Sequence, residues 1–127
     1  MIEKSKKYLI DSNIIIYHLN GEEVATNFLQ NSINNSAISR LTFMEVLSFD
    51  FNEDDLNSVI ELLKSFEIID TNENIAMQMI ENRKHKKIKL VDNIIASTAQ
   101  INSLILVTRN EKDFRNLDID ILNIFEN

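Results

Sequence analysis

The chain of 127 residues contains no cysteine, no proline, no tryptophan and a single glycine. Without cysteine there is no disulfide framework, no thiolate nucleophile and no sulfur-ligated metal site. No apolar run approaches the roughly 18 residues that a membrane span requires. The basic start (Lys4, Lys6, Lys7) leads into apolar residues that Asp11 and Asn13 interrupt after three positions, too soon for the apolar core of a secretion signal. These absences predict a cytoplasmic protein with no membrane partner. Positive charge is also scarce: thirteen Lys and Arg against twenty Asp and Glu leave a net charge of −7. That balance speaks against broad nonspecific binding to nucleic acid. The cations are unevenly spread, since Arg83, Lys84, Lys86, Lys87 and Lys89 fall within one run, outside which eight cations face the twenty acids.

What is present is ordinary for a folded domain. A hydrophobic content of 44% with 26% charged residues excludes disorder, and the length predicts one domain over residues 1–127 with no linker and no repeats. Short apolar runs at Tyr8–Ile10, Ala37–Ser39, Phe66–Ile69, Leu104–Val107 and Ile121–Ile124 read as strands. Between them, helical spacing of apolar residues predicts helices over Ile14–Leu19, Glu22–Ser32, Leu41–Phe49, Asp54–Lys64, Asn72–Arg83 and Val91–Ile101, with a short helical piece over Asn110–Arg115. Gly21 suits a left-handed stop after the first helix. On helical spacing, Val24, Met44, Ala76 and Ile80 join the residues expected to be buried. Alternating strands and helices, with strands apolar on both sides, define the expected fold class: α/β, a central, mostly parallel sheet of about five short strands covered by helices on both faces.

Four acids fall where such a sheet gathers its ligands, at the carboxyl ends of strands and the starts of helices. Asp11 follows the first strand, Glu45 lies in the helix after the second, Asp92 opens the nearly all-apolar sixth helix, and Asp113 follows the Leu104–Val107 strand. Each has a structural explanation. Asp11 is a good N-cap, Glu45 follows Thr42 at capping-box spacing, Asp92 favours a helix dipole, and Asp113 follows Asn110 by three. Asp70 also ends a strand and begins a helix, has no counterpart in the sequence, and reads as a cap. Brought to one edge, the four acids would raise one another's pKa and destabilise the fold unless a cation stood between them. Oxygen donors without sulfur, and with neither histidine nearby, suit Mg²⁺ or Mn²⁺. Of the two histidines, His85 reads as a surface residue and His18 as packed or partly exposed; Tyr8 and Tyr17 read as core or interface.

The segments Leu9-Ile10-Asp11-Ser12-Asn13-Ile14, Thr42-Phe43-Met44-Glu45-Val46-Leu47, Asp92-Asn93-Ile94-Ile95-Ala96 and Leu106-Val107-Thr108-Arg109-Asn110-Glu111-Lys112-Asp113-Phe114 resemble, in order, the four acidic motifs of PIN-domain proteins. Among these the chain is most like the VapC-type toxins of toxin-antitoxin pairs, over essentially its whole length. The resemblance implies a single PIN-like domain and a Mg²⁺-dependent endoribonuclease, with Mn²⁺ able to substitute. It also implies a homodimer and an antitoxin partner. On it, Asp11, Glu45, Asp92 and Asp113 would be the catalytic, metal-binding acids, with Glu111 a competitor for the fourth position. Ser12, Asn13, Thr108 and Asn110 would form a supporting shell. The run Arg83, Lys84, Lys86, Lys87, Lys89 would contact RNA phosphates, or else be a solvated helix end. The alternative function is a non-enzymatic PIN-like module that binds RNA or protein. A phosphoryl-accepting receiver fits less well, because Asn13 stands where a second acid is wanted.

Overall fold

The computed structural model describes residues 6–126, so Lys4 of the basic start lies outside the described residues. Strand β1 (Tyr8–Ile10) leads into helix α1 (Ser12–Leu19), and α2 (Glu23–Ser32) follows after Gly21, which takes a left-handed φ of 86°. A short 3-10 turn (Ile33–Asn35) precedes β2 (Ser36–Ser39), followed by α3 (Arg40–Leu47), α4 (Glu53–Lys64) and β3 (Glu67–Ile69). Then come α5 (Glu73–His85), α6 (Leu90–Ile101), β4 (Ile105–Val107), a 3-10 turn (Glu111–Phe114) and β5 (Ile121–Leu122). The strands form one sheet in the order β3-β2-β1-β4-β5. Every pairing is parallel, so the sheet is wholly rather than mostly parallel.

Alternation along the strands divides the core in two. Ile10, Ile38 and Val107 face one side, where Ile14 and Ile15 of α1, Ala25 and Leu29 of α2, Val46 of α3, and Val59 and Leu63 of α4 cover them. Leu9, Ala37 and Leu106 face the other, under Ile95, Ala96 and Ala99 of α6 and Phe114. Successive side chains in a strand point to opposite faces, so the even-numbered and odd-numbered residues of β1 and β2 serve different cores. Helix α5 lies against α6 and buries Ile75. Several residues expected inside are exposed: Val24, Met44, Ala76 and Ile80, with Ile80 and Met44 each 54% accessible. A helix in an outer layer buries one stripe only, and these residues lie beside it.

Chain order sets the location of any ligand site. From β1 the chain moves outward through β2 to β3, then returns across the sheet to β4 on the other side of β1. β1 and β4 therefore flank the point where the direction of winding reverses, and the crevice beyond their carboxyl ends is where open α/β sheets bind ligands. Asp11 follows β1 there, and Thr108 follows β4.

Candidate active site

Asp11 is the N-cap of α1. Its Oδ1 accepts from the backbone N–H of Ser12 at 2.8 Å, so the capping expectation holds. Its other oxygen, however, accepts the hydroxyl of Thr108 at 2.8 Å, across the β1–β4 boundary, and the side-chain amide of Asn13 at 3.5 Å. Thr108 Oγ1 accepts in turn from the backbone N–H of Asn110 at 3.1 Å. Asp11 is only 9% accessible. Burial pushes its pKa up to about 6, against the lowering effect of the Thr108 and Ser12 hydrogen bonds and with a further push from the charges of Asp92 and Glu45. A cap alone would not place a carboxylate within reach of two other acids.

Glu45 is not part of a capping box. Helix α3 begins earlier than its apolar pattern suggests: Ser39 is its N-cap, and Ser39 Oγ accepts from the N–H of Thr42 at 3.1 Å. Thr42 is thus the residue being capped, and Glu45 is free to face the site. Ser12 Oγ donates to Glu45 Oε1 at 2.6 Å and stands 3.0 Å from Thr42 Oγ1, linking the first two acidic segments through one hydroxyl.

Asp92 lies in the first turn of α6, as expected, and is half-buried. Its pKa is raised, first by burial, then by the charge of Asp113, with Glu45 adding to this and Lys89 and Lys86 opposing it. Asp113 belongs to the 3-10 turn anchored by buried Phe114, and Asn110 makes no side-chain cap there. Glu111 points elsewhere, its Oε2 accepting from the Asn123 amide at 3.1 Å. Of the two candidates for fourth acid, Asp113 is therefore the one whose charge reaches Asp92. All four acids are thus connected: Asp11 feels Asp92 and Glu45, and Asp92 feels Asp113 and Glu45.

Asp70 is not a cap. Asn72 caps α5 through Oδ1 to the N–H of Ile75, and Asp70 instead pairs with Arg40 at 2.6 Å on the surface, which lowers the carboxyl's pKa. The basic run divides. Arg83 donates to the carbonyl of Ile88, Lys84 pairs with Glu81, and Lys86 Nζ donates to the carbonyls of Arg115 at 2.6 Å and Lys112 at 3.4 Å. Lys87 and Lys89 make no side-chain hydrogen bond or ion pair among the described residues. His85 is exposed beside Glu81, and His18 Nδ1 meets Thr26 Oγ1 at 2.7 Å. Tyr8 and Tyr17 make edge-to-face contacts with Phe28 and Phe125. Arg109, next to Thr108, lies 4.3 Å from the Phe125 ring centroid and 5.1 Å from that of Tyr17; nothing in the sequence pointed to this pairing.

Two observations bear on a metal ion. Among the described residues, no three Asp, Glu or His side chains are gathered tightly enough to ligate one ion directly. Mg²⁺ does not require that, since it commonly keeps several waters and takes one or two carboxylates. Beside Asp11, the Oδ1 of Asn13 is buried and has no hydrogen-bond partner among the described residues. Oxygen donors without sulfur, two acids whose pKa burial raises (Asp11 and Asp92) and an orphaned carbonyl oxygen fit a hard divalent cation.

A parallel α/β domain with linked acids at its winding reversal is a recognisable class of protein. The family model for the PIN domain matches residues 8–120, and the chain belongs to that family. A chain of a toxin-antitoxin complex from Klebsiella pneumoniae is 33% identical, with a TM-score of 0.84 and coverage of 94% of this chain and 99% of that one. A chain of VapBC2 from Rickettsia felis, bound to a DNA fragment from its promoter, is 26% identical over 91% of this chain and 97% of that one, with a TM-score of 0.76. One of FitAcB from Neisseria gonorrhoeae shares the fold at 24% identity and a TM-score of 0.81, covering 94% and 99%. No curated protein matches the chain.

Proposed function

We propose that the protein is a Mg²⁺-dependent endoribonuclease, with Mn²⁺ able to substitute, and the toxin of a toxin-antitoxin pair. The observation that carries the nuclease reading is the placement of buried Asp11 at the sheet's winding reversal, bonded to Thr108 across the β1–β4 boundary, with Glu45 held to the next residue, Ser12, and Asp92 half-buried at the start of α6. Burial, with a smaller push from neighbouring acids, raises the pKa of Asp11 and Asp92 and so opposes folding, and a divalent cation is the ligand that would relieve the conflict. In this reading Asp11 and Asp92 hold the ion, with Glu45 and Asp113 completing the acidic ring, directly or through water. Ser12, Asn13, Thr108 and Asn110 orient the acids, Thr108 and Ser12 by hydrogen bonds to Asp11 and Glu45. A bound Mg²⁺ supplies a lowered water pKa and neutralises phosphate charge for in-line phosphodiester hydrolysis. None of the acids needs to act as nucleophile.

Lys87 and Lys89 are the cations we assign to RNA phosphates, since Arg83, Lys84 and Lys86 have other partners within the fold. The complexes formed by similar chains support an antitoxin as the protein partner. A homodimer and a cytoplasmic setting complete the proposal. The other reading, a non-enzymatic module binding RNA or protein, draws on the spacing of the acids, which do not meet around one ion directly. Thermal melts with and without Mn²⁺, on wild type and Asp92→Asn, separate the two. The metal-centre reading expects Mn²⁺ to raise the wild-type Tm and to affect the variant little, while the metal-free variant melts at or above wild type. No response of either protein to Mn²⁺ would leave the binding module.

A further inference from the structure

The α5–α6 connection carries more polar contacts than a solvated helix end needs. Asn82, on the last full turn of α5, is 4% accessible, and its amide nitrogen, with two hydrogens to donate, lies within hydrogen-bond distance of three acceptors, Gln100 Oε1 at 2.8 Å, Ser97 Oγ at 3.0 Å and Asn93 Oδ1 at 3.1 Å. Its own oxygen accepts from Gln78 Nε2 at 3.0 Å. Asn93 reaches back as well, donating to the backbone carbonyl of Met79 at 2.9 Å. Every partner of Asn82 in α6 lies on the helix that carries Asp92, and Asn93 is the residue next to it. Lys89, the N-cap of α6, makes no side-chain cap bond. Asn93, at the end of the first turn, is held from the side by Asn82 and the Met79 carbonyl, and Ser97 and Gln100 extend the contact along the helix.

Four residues after Asn82, Lys86 makes the second half of the connection. Its ammonium donates to the carbonyls of Lys112 and Arg115, which bracket Asp113. One end of α5 therefore grips both the start of α6 and the 3-10 turn, the two elements whose acids are electrostatically coupled.

We propose that the end of α5 and the loop after it form a clamp that sets the spacing of Asp92 and Asp113, with Asn82 and Lys86 as its positioning residues. In its bearing on metal binding the clamp rests on the metal-centre reading above; its effect on the 3-10 turn does not. A buried amide network of this kind gives α6 one rotational setting, because any turn of the helix would strand several polar groups at once. Lys86 fixes the other side of the gap through backbone carbonyls, which do not shift with side-chain rotamers.

The competing role for Lys86 is a phosphate contact, and the two make opposite predictions for the ion. Taking a positive charge away from acids would, by electrostatics alone, tighten cation binding. Loss of the clamp would weaken it. The experiment measures Mn²⁺ affinity by calorimetry for the full chain as wild type, Lys86→Gln, Lys86→Arg and Asn82→Leu, with amide hydrogen exchange of residues 111–115 in metal-free protein. We expect Lys86→Gln to bind Mn²⁺ about 10-fold more weakly, the scale usual for partners of metal-ligating groups, and to exchange faster at residues 111–115. Lys86→Arg, which keeps donors for both carbonyls, should restore both. Asn82→Leu should weaken Mn²⁺ binding without removing charge; if it fails to fold, the Lys86 pair decides. Affinity equal to or tighter than wild type in Lys86→Gln, with the wild type binding, would overturn the clamp alone. A wild type that binds no Mn²⁺ would end the metal-centre reading, and unchanged exchange at residues 111–115 would overturn the clamp whatever the metal result.

Discussion

Replacing Asp11 by Asn should stabilise the metal-free protein at neutral pH, although Asp11 caps a helix and accepts three hydrogen bonds. The folded state holds this carboxyl at about 6, against 3.8 ordinarily. An acid with a raised folded pKa binds more protons folded than unfolded between those two values, so its contribution to stability falls as pH rises through the window. Above about pH 6 the full penalty is in force, about 3 kcal/mol at 1.36 kcal/mol per unit. Asn keeps the cap oxygen toward the Ser12 N–H, since Asn and Asp are comparable N-caps. It turns an amide donor toward Thr108, a mismatch worth about 1 kcal/mol. The net gain of about 2 kcal/mol corresponds to a Tm higher by about 7 °C for a chain of this length. The assay is a set of melts of wild type and variant with chelator at pH 7.5, 6, 5 and 4. The gain should shrink as pH falls and vanish between pH 5 and 4, where the remaining penalty no longer exceeds the mismatch at Thr108. Saturating Mn²⁺ at pH 7.5 should reverse the order. A variant less stable than wild type at pH 7.5, with no trend on acidification, would show that Asp11 serves chiefly as a cap and would remove the electrostatic basis of the site.

The remaining predictions concern the supports of the site. Thr108→Val should destabilise by about 1.5–3 kcal/mol in urea titration, the range for a hydrogen bond to a charged group, and it removes an interaction that lowers the Asp11 pKa. The pH at which Mn²⁺ binding reaches half its plateau should therefore move up; an unchanged midpoint would detach Thr108 from Asp11. Phe114→Ala, at a position 1% accessible, should lose about 3–5 kcal/mol by equilibrium unfolding; a loss below about 1 kcal/mol would mean that the turn bearing Asp113 is not held by that ring.

The fold was legible in the sequence, because alternation of strands and helices depends on local pattern. Strands such as Leu104–Val107 declare themselves by uninterrupted apolar residues between polar turns, and α6 by an apolar run of which Ile95, Ala96 and Ala99 are buried, while Val91 and Ile101 at its ends, also expected inside, are exposed. Acids placed just after strands can be read as an edge cluster from topology alone. What remained invisible were partnerships between residues far apart in the chain. Spacing suggested that Thr42 and Glu45 cap a helix, and only the fold brings Ser12 to Glu45, 33 positions away. Asp70 followed a strand as Asp11 does, and only the adjacency of β2 and β3 hands it to Arg40. Glu111 competes with Asp113 for the fourth position in sequence, and only the chain after β5 brings Asn123 to Glu111. The basic run looked like one feature, yet packing assigns Arg83 and Lys86 to carbonyls within the protein and leaves Lys87 and Lys89 outside. Periodicity is set by each segment's own need to bury one face, so it can be read along the chain. The hydrogen-bond partner of a buried polar side chain is set by whichever segment folds against it, so that choice belongs to the tertiary structure.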